Sequence, residues 1–373
     1  MASSADIVID ITSDSDIARR IKKLADQIVD DISTAYSLGD ELGRGRFSVV
    51  KSALHLKERE NYAVKVVENK SLSDEENLEA LETEIHILRQ LDHPHIVALK
   101  EVVVTPDDTF LVMELLSGGE LFNRIVDQGR FSEPSAAALF AQILLSMEYL
   151  HSLNVVHRDV KPENILYVKD GASEIKLIDF GYAGVWEPNK ELTGLCGTPD
   201  YVAPEVLTWY EDDESGTPYG KGSDLWSLGV LLYVILSGCS PFSADEEEAI
   251  LQLVNEGKYE FHESEWSDVS DGAKDLIAKL LVVDPATRMT MDGMLQHPWL
   301  KEAIADGRAQ IATKAAEREK AKAAAKQASK SNMVANGVSG PPAGSYPEAE
   351  VVTRLDGGAS GKKPGCGALC VIS

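Results

Sequence analysis

The order and spacing of two short polar motifs constrain this chain more than any other feature of its sequence. The first motif, HRDVKPEN, ends at Asn164, and the second, DFG, begins at Asp179, fifteen residues further on. Asp159 offers a carboxylate that can orient and deprotonate a hydroxyl group, and Lys161 can neutralise charge on a phosphoryl group in transit. Asn164 and Asp179 supply oxygen ligands of the kind that Mg²⁺ prefers. Together these residues predict a site for phosphoryl transfer between oxygen atoms.

A glycine-rich stretch and a lysine upstream complete a candidate nucleotide site. Gly43–Val50 joins two predicted strands, and its glycines let backbone N–H groups approach phosphate oxygens, although Ser48 replaces the third glycine of the usual pattern. Lys65 lies in an apolar strand and therefore needs a partner, which Glu84 can supply from a predicted helix. The alternative is that Lys65 and Glu84 are unconnected surface residues.

Further motifs close the segment that follows DFG. The sequence GTP at 197–199 is followed by APE, which ends at Glu205, and Arg288 is a candidate buried partner for Glu205. That pair would be structural rather than catalytic. Asp224 opens the apolar helix predicted over Leu225–Leu236 and is expected to anchor the backbone of the HRDVKPEN loop.

These motifs, in this order, resemble the protein kinase family across Tyr36–Leu300. Lys161 followed by Pro-Glu-Asn is the serine/threonine form of the loop. The resemblance is strongest to the calcium/calmodulin-dependent kinase group, and the stretches that carry it are Leu42–Val50, Gly118–Phe122, Arg158–Asn164, Gly197–Glu205 and His297–Leu300. It implies an α+β bilobal fold, with a β-rich N-lobe over 36–116 and a helical C-lobe over 117–300. A catalytically inactive scaffold would be expected to lack one of the key residues, and none is missing.

The resemblance also implies the members of the site and its cofactors, ATP and Mg²⁺. The implied catalytic residues are Asp159, Lys161, Lys65 and Glu84. The implied ATP-binding residues are Leu42, Gly43, Arg44, Gly45, Arg46, Phe47, Ser48, Val49, Val50, Ala63, Lys65, Met113, Glu114, Leu116, Glu120, Glu163, Asn164 and Asp179. Asn164 and Asp179 would bind the metal, and Glu120, Glu163 and Thr198 would bind the protein substrate.

The same resemblance implies a preference among protein substrates. Glu120 and Glu163 match family positions that contact an arginine three residues before the acceptor, although Glu120 alternatively contacts only the ATP ribose. Val234 stands where kinases of the cyclic-nucleotide-dependent type have a second glutamate. We therefore expect selection of one arginine at minus three and no strong demand at minus two.

Control of the activation segment has two readings. Many relatives carry a phosphorylated threonine four residues before Thr198, and this chain has Gly194 there. The adjacent Thr193 is a candidate phosphosite, with Arg158 as its cationic partner. The alternative, which we favour, is a segment that needs no phosphate.

Residues 1–35 precede the kinase-like region as an extension with helical periodicity. Its apolar residues recur at spacings of three and four: Ile17, Ile21, Leu24, Ile28 and Ile32. This pattern predicts one amphipathic helix with Ser15 or Asp14 as its N-cap. The helix packs either on its own kinase domain or on a partner or second copy.

Residues 301–330 are rich in helix formers and predict a regulatory or spacer helix. In the calcium/calmodulin-dependent group the helix at this place blocks the site until calmodulin removes it. Calmodulin usually grips bulky apolar anchors, and only Ile304 and Ile311 are bulky here, with Gly307 between them. Calmodulin binding is therefore one alternative, and a constitutive or phosphorylation-controlled kinase is the other.

Residues 331–369 are rich in Gly, Pro, Ser and Ala and predict a disordered linker, followed by the CaaX pattern CVIS at 370–373. Cys370 is the expected prenylation site, and Cys366 is a candidate for palmitoylation as a second anchor. The expected location is therefore the cytoplasmic face of a membrane, as a peripheral protein.

Composition narrows the class of partner. Residues 36–300 carry 47 acidic and 21 basic side chains, which argues against nucleic acid and favours basic substrates, although an acidic surface also simply aids solubility. The four cysteines include no closely spaced CxxC pair, and the N-terminus has no signal-peptide pattern. Both observations predict a reducing, cytoplasmic compartment. The sequence leaves the oligomeric state open.

Overall fold

The computed structural model of the protein describes residues 15–45, 47–187, 192, 196–211 and 219–335. The chain divides into two units, residues 1–311 and 312–373. The first unit holds both lobes and every part of the candidate site that is described below.

Ten strands are present in the described residues. Their bounds are β1 Gln27–Ile28, β2 Tyr36–Arg44, β3 Ser48–His55, β4 Asn61–Glu68, β5 Leu99–Val104, β6 Asp108–Glu114, β7 Val155–Val156, β8 Ile165–Tyr167, β9 Ile175–Leu177 and β10 Gly184–Val185. The first six form one sheet in the order β1-β5-β6-β4-β3-β2, in which β1 runs parallel to β5 and the other neighbours are antiparallel. The remaining four form two short antiparallel pairs, β7 with β10 and β8 with β9.

Eleven α-helices are present in the described residues. Their bounds are α1 Asp16–Leu24, α2 Glu75–Gln90, α3 Leu121–Gln128, α4 Glu133–Ser152, α5 Pro204–Glu211, α6 Gly222–Ser237, α7 Glu247–Glu256, α8 Glu263–Trp266, α9 Asp271–Leu280, α10 Met291–Leu295 and α11 Lys301–Ala335. Four short 3₁₀ segments cover Ile32–Thr34, Asn69–Ser73, Pro162–Asn164 and Pro199–Tyr201. The α+β arrangement predicted from the sequence is confirmed, with a β-rich first lobe and a helical second lobe.

The helical lobe is built around α6, whose side chains are buried all round. A helix that is apolar on every face belongs in a protein core. Trp226 on this helix stacks on Phe242 with ring centroids 5.5 Å apart. Because α6 is fixed on all sides, Asp224 in its first turn is held rigidly beneath the loop that carries Asp159.

The N-terminal extension is not one continuous helix, so that prediction is wrong beyond Leu24. Ser15 caps α1 by accepting a hydrogen bond from the backbone N–H of Ala18, but Ala25 turns extended and ends the helix. Ile28 then lies in β1, paired with Val104 of β5, and its side chain is largely exposed. Strand pairing with the existing sheet edge therefore overrides the helical spacing of the isoleucines. The helix packs on its own domain, since Ile21 is fully buried in the main core.

The boundaries at the other end also shift. Ile304 is buried in the main core and Ile311 packs against it, so the compact unit continues past the predicted domain end at Leu300. Helix α11 runs to Ala335, so it includes the first five residues of the linker predicted over 331–369. Among the described residues, none of the helices combines the length and apolar character that a membrane span needs. Residues 336–373, with Cys366 and Cys370, lie outside the described residues.

Candidate functional site

The glycine-rich turn between β2 and β3 forms the upper edge of the site. Gly45 donates its N–H to the carbonyl of Ser48 at 2.9 Å, which closes the turn. A Cβ atom built on Gly43 meets nothing within 4 Å, so the space above this backbone is open for a ligand. Leu42 and Phe47 are 52% and 44% exposed at the rim. Arg44 forms an ion pair with Glu41, whereas Arg46 lies outside the described residues.

One face of the sheet below this turn gathers several of the predicted nucleotide-binding residues. Val50 lies opposite Lys65 in the β3–β4 register, and Ala63 lies opposite Met113 in the β4–β6 register. Side chains alternate between faces along a strand, so these four share one face. The same alternation turns Val49 to the other face, away from Lys65. Val49 is among the predicted ATP-binding residues because that prediction includes every residue of the glycine-rich stretch.

Lys65 and Glu84 form the ion pair that the sequence predicts. Lys65 Nζ lies 2.6 Å from Glu84 Oε1 and 3.7 Å from Asp179 Oδ1. Burial opposes the charge on Lys65, but Glu84 and Asp179 outweigh it and raise the pKa of the ammonium group. For Asp179, burial is likewise outweighed by Lys65 and by the N–H of Gly181, so its pKa is lowered. Both groups are therefore charged at neutral pH, and a cation faces the space below the glycine-rich turn.

Three side chains of the HRDVKPEN loop and its neighbourhood surround the carboxylate of Asp159. Asp159 is buried, and its Oδ2 accepts hydrogen bonds from Asn164 Nδ2 at 2.8 Å and from Lys161 Nζ at 3.0 Å. Its Oδ1 accepts a hydrogen bond from the hydroxyl of Thr198 at 3.1 Å, and Lys161 donates to the same hydroxyl oxygen at 2.8 Å. The arrangement shows that Asp159 and Lys161 can hold an aliphatic hydroxyl between them.

Asp224 holds the backbone of this loop from below. Its two carboxylate oxygens accept the N–H of His157 at 3.0 Å and the N–H of Arg158 at 2.9 Å, and Oδ2 also contacts His151 Nε2 at 2.7 Å. Burial tends to raise the pKa of Asp224, but His151, His157 and these hydrogen bonds outweigh it, so the pKa is lowered. Arg158 has φ of 65°, a left-handed conformation that a non-glycine residue adopts only when its surroundings enforce it. The predicted anchoring role of Asp224 agrees with these bonds.

The residues proposed to hold Mg²⁺ fit a hard cation by their donor chemistry. Asn164 commits its Nδ2 to the carbonyl and carboxylate of Asp159, which fixes the amide with its oxygen turned the other way. Asp179 has φ of 57° and a carboxylate kept ionised by Lys65. An amide oxygen and a carboxylate are ligands that Mg²⁺ accepts when phosphate oxygens complete its shell. Within the described ranges, no group of three His, Cys, Asp or Glu side chains could hold a metal without such help.

The activation segment is fixed at both ends of its described part. Arg158 donates through Nε to the carbonyl of Tyr182 and through Nη1 to the hydroxyl of Tyr219 at 3.3 Å. Leu192 forms a β-bridge with Tyr219. Thr193 and Gly194 lie outside the described residues. Beyond them, Gly197 has φ of +102°, and a Cβ there would lie 2.8 Å from the carbonyl of Arg158, so only glycine fits.

Glu120 and Glu163 form an acidic neighbourhood, with Glu163 in the HRDVKPEN loop itself. Burial and the charge of Glu163 raise the pKa of Glu120. Glu163 Oε2 is buried without a hydrogen-bond partner among the described residues. An unsatisfied carboxylate oxygen favours a cationic ligand at this position. Val234, where a second glutamate would stand, is buried in α6.

Sequence reasoning missed an ion pair between a buried lysine and a half-buried glutamate, and this pair changes the expected role of one site residue. Lys176 on β9 donates to Glu114 Oε1 at 2.7 Å and to the carbonyl of Ile96 at 3.1 Å. The same Glu114 oxygen accepts the N–H of Ala98. Because these contacts occupy the carboxylate of Glu114, we expect only the backbone of Glu114 to bind a nucleotide. The available signal was Lys176 itself, a lysine between apolar Ile175 and Leu177.

The sequence of this chain is similar to those of known proteins. The family model described as protein kinase domain matches residues 36–300. Myosin light chain kinase A of Dictyostelium discoideum is 43% identical over 272 residues, covering 73% of this chain and 90% of the relative. Calcium/calmodulin-dependent protein kinase type 1B of Rattus norvegicus is 42% identical over 272 residues, covering 73% and 76%. Serine/threonine-protein kinase H1 of Homo sapiens is 39% identical over 284 residues, covering 75% and 65%.

Proposed function

The chain belongs to the protein kinase family, and we propose that it transfers the γ-phosphoryl group of ATP to serine or threonine hydroxyls of basic proteins. The observation that carries this proposal is the hydroxyl of Thr198, held at 3.1 Å from Asp159 Oδ1 and 2.8 Å from Lys161 Nζ. A serine or threonine of a substrate presents the same chemical group to the same two side chains. The names of the relatives agree with a protein kinase.

The residues of the site would divide the work as follows. Asp159 accepts the proton of the substrate hydroxyl as its oxygen bonds to the γ-phosphorus and the bond from that phosphorus to the departing ADP oxygen breaks. Lys161 stabilises the negative charge on the group in transit, and Lys65 positions the α- and β-phosphates. Asn164 and Asp179 would hold Mg²⁺, which supplies charge neutralisation of the phosphate oxygens. Glu84 keeps Lys65 in place.

The preference for basic substrates rests on Glu163 and Glu120. The partnerless Oε2 of Glu163 and the raised pKa of Glu120 both reflect negative charge in a partly buried place. A guanidinium group would satisfy both carboxylates, and hydrogen bonds between charged groups are worth about 1.5–3 kcal/mol each. We therefore propose selection of an arginine three residues before the acceptor.

A set of matched peptides tests the reaction and its specificity together. We expect transfer to peptides with Ser or Thr as acceptor and none to the Tyr peptide. Replacing arginine at minus three with alanine should lower kcat/KM by about ten- to a hundredfold. In Glu163→Gln that penalty should shrink, whereas Glu260→Gln, an exposed glutamate, serves as the matched control. Efficient transfer to tyrosine, or no penalty for losing the arginine, contradicts the proposal.

We further propose that the kinase needs no phosphate on its activation segment. The support is that Arg158 already donates to Tyr182 and Tyr219, so its guanidinium has protein partners without a phosphate. Thr193→Ala should then retain its turnover within about twofold. A large loss of turnover in Thr193→Ala would contradict the proposal and favour control by phosphorylation of Thr193.

Control by calmodulin is a second candidate, favoured by the name of the type 1B relative. Against it, Ile304 and Ile311 are taken up by packing on the kinase domain, so calmodulin would have to extract them. We propose that activity does not depend on calmodulin. Kinase assays with and without calcium and calmodulin, on the full chain and on a truncation after Ile311, decide the matter. The proposal is contradicted if calcium and calmodulin raise the kinase activity of the full chain but not that of the truncated chain.

We also propose that the segment around Cys370 carries a prenyl group and tethers the kinase to the cytoplasmic face of a membrane. The support is the tetrapeptide CVIS, in which a cysteine is followed by two aliphatic residues and a serine. Mass spectrometry of the C-terminal peptide from cells should find the lipid. Cys370→Ser should move the protein to the soluble fraction, and an unchanged distribution would contradict the tether. Cys366→Ser reports whether a second lipid contributes.

A further inference from the structure

The N-terminal strap, defined here as residues 15–28, lies before the region that the kinase family model matches, yet it is built into the first lobe. Ala18 and Ile21 of α1 are fully buried. Ile21 belongs to the same buried cluster as Leu78 and Leu81 of α2. The strap is therefore a packed part of the lobe rather than a free extension.

Two arginines fasten the strap to both ends of α2. Arg20 of the strap makes a two-pronged contact with Glu82, with Nε–Oε1 at 2.9 Å and Nη2–Oε2 at 2.6 Å, and its Nη1 also donates to Glu75. Arg89 of α2 reaches back, donating to the carbonyl of Leu24 at 2.6 Å and pairing with Asp26 at 3.0 Å. Two-pronged contacts between guanidinium and carboxylate fix orientation as well as distance.

The other side of the strap is fixed to the sheet. Asp26 exchanges hydrogen bonds with Val102 of β5, its N–H donating to the carbonyl at 2.8 Å and its carboxylate accepting the N–H at 2.7 Å. Gln27 and Ile28 then continue as β1, parallel to β5. The strap therefore contacts both α2 and β5. It connects the helix that carries Glu84 to the sheet.

Glu84 depends on such a frame because its position is electrostatically costly. It lies on α2 between the tether points at Glu82 and Arg89, and burial raises the pKa of its carboxyl group while Lys65 counteracts this. A buried carboxylate gains hydration if its helix moves outward, so the pair with Lys65 holds only while α2 is kept against the sheet. In protein kinases this lysine–glutamate pair must be in place for phosphoryl transfer.

We propose that the strap holds α2 in the position in which Glu84 pairs with Lys65, and that Arg20 is a positioning residue for phosphoryl transfer. The inference rests on the proposed kinase function. Arg20 touches no reacting atom, and it acts through α2 on Glu84 and thereby on Lys65. This removes the alternative that α1 offers its apolar face to a partner, since that face is buried on the protein's own domain.

Steady-state kinetics of Arg20→Ala test the inference, with Arg19→Ala as matched control. Arg19 is 58% exposed on the same helix and pairs with Asp16, whereas Arg20 is 22% exposed. We expect Arg20→Ala to lower kcat/KM for ATP by about tenfold and Arg19→Ala to change it by less than about twofold. Equal activity of the two variants overturns the inference.

A double-mutant cycle separates positioning from a general loss of stability. If Arg20 acts through Glu84, then Arg20→Ala should cost less than about twofold in a Glu84→Gln background, because the pair is already broken. The same fold-loss in both backgrounds contradicts the inference. If Arg20→Ala does not fold, Arg20→Lys can replace it in the same cycle. Lysine keeps the positive charge but cannot make the two-pronged contact with Glu82.

Hydrogen exchange gives a readout that does not need turnover. We expect the amides of α2 to exchange faster in Arg20→Ala than in Arg19→Ala, with α6 unchanged in both. If the unmodified protein transfers no phosphate to any peptide, the proposed function fails, and the exchange of α2 still decides whether the strap holds this helix. Unchanged exchange in α2 overturns the strap itself.

Discussion

Arg288 and Glu205 face each other as two parallel forks, with Nη1–Oε1 at 2.7 Å and Nη2–Oε2 at 2.8 Å, and the two side chains are only 1% and 5% exposed. Arg288 also donates to the carbonyls of Gly222 and Val282. The pair joins the end of the activation segment to the start of α6. It therefore links the segment that carries Thr198 to the buried helix at the centre of the helical lobe.

Removing one partner of this pair should be strongly destabilising. Arg288→Met leaves the carboxylate of Glu205 buried without a counter-charge, which we expect to lower the free energy of unfolding by about 3–5 kcal/mol. Arg308→Met is the control, since its pair with Glu148 is 55% and 38% exposed and should be worth less than about 1 kcal/mol. Denaturant titration of both variants measures the difference. Similar losses in the two variants would contradict the structural role of the pair.

The lowered pKa of Asp224 predicts the direction of an acid effect on stability. A carboxyl group whose folded pKa lies below its ordinary value of 3.8 adds stability that is fully present above that value. The contribution disappears as the pH falls through the folded pKa, because the unfolded chain takes up the proton first. Asp224→Asn removes this contribution, so its stability deficit relative to the unmodified protein should be largest near neutral pH and should narrow below about pH 4.

Thermal unfolding of the two proteins across this pH range makes the measurement. Asp275→Asn is the comparison: its carboxylate also has a lowered pKa, so its deficit should narrow in the same direction, but it lies at the surface beside Lys279 and its deficit should be smaller at every pH. A deficit of Asp224→Asn that grows as the pH falls would contradict the prediction.

The chemistry of the site could be predicted from sequence because its members lie close together along the chain. Asp159, Lys161 and Asn164 belong to one loop, and the role of each follows from its residue type and spacing. The Lys65–Glu84 pair needed only the additional argument that a lysine on an apolar strand must have a partner. The contacts of Arg20 could not be found this way, because its partner Glu82 comes 62 residues later.

The errors at the two ends of the domain have one physical cause. A spacing of three and four shows that residues share a helix face, but it does not show what that face meets or whether a strand pairing competes. Ile28 fits the helical spacing, but it lies in β1 because this segment pairs with the edge strand β5. The predicted domain end at Leu300 in the same way misses Ile304, which is buried in the main core, and Ile311, which packs against that core.

The ion pair of buried Lys176 with half-buried Glu114 predicts an effect on nucleotide binding. Lys176→Met leaves the oxygen of Glu114 with only the N–H of Ala98, at the end of β6 where the nucleotide is expected. We expect KM for ATP to rise by about three- to tenfold with a smaller change in kcat, because the chemical step does not involve this strand end. Lys169→Met, an exposed lysine nearby, should leave both constants unchanged. A fall in kcat with KM unchanged would contradict this reading.

Gly307 tests whether the first turns of α11 belong to the kinase domain. A Cβ at Gly307 would lie 2.7 Å from Leu145 Cδ1 on α4, so close packing leaves little room for a side chain at this position. The end of a leucine can shift, and alanine gains about 1 kcal/mol of helix propensity, so Gly307→Ala should be nearly neutral. Gly307→Leu cannot be accommodated in that way, and overpacking should cost about 1–3 kcal/mol. Ala305→Leu, on the exposed face two residues earlier, is the matched control and should change stability by less than about 0.5 kcal/mol.

If α11 were detached from the domain in solution, the two leucine substitutions would be equally harmless in a denaturant titration. A loss confined to Gly307→Leu would place the end of the folded domain after this residue, where a truncation for kinetic work should be made.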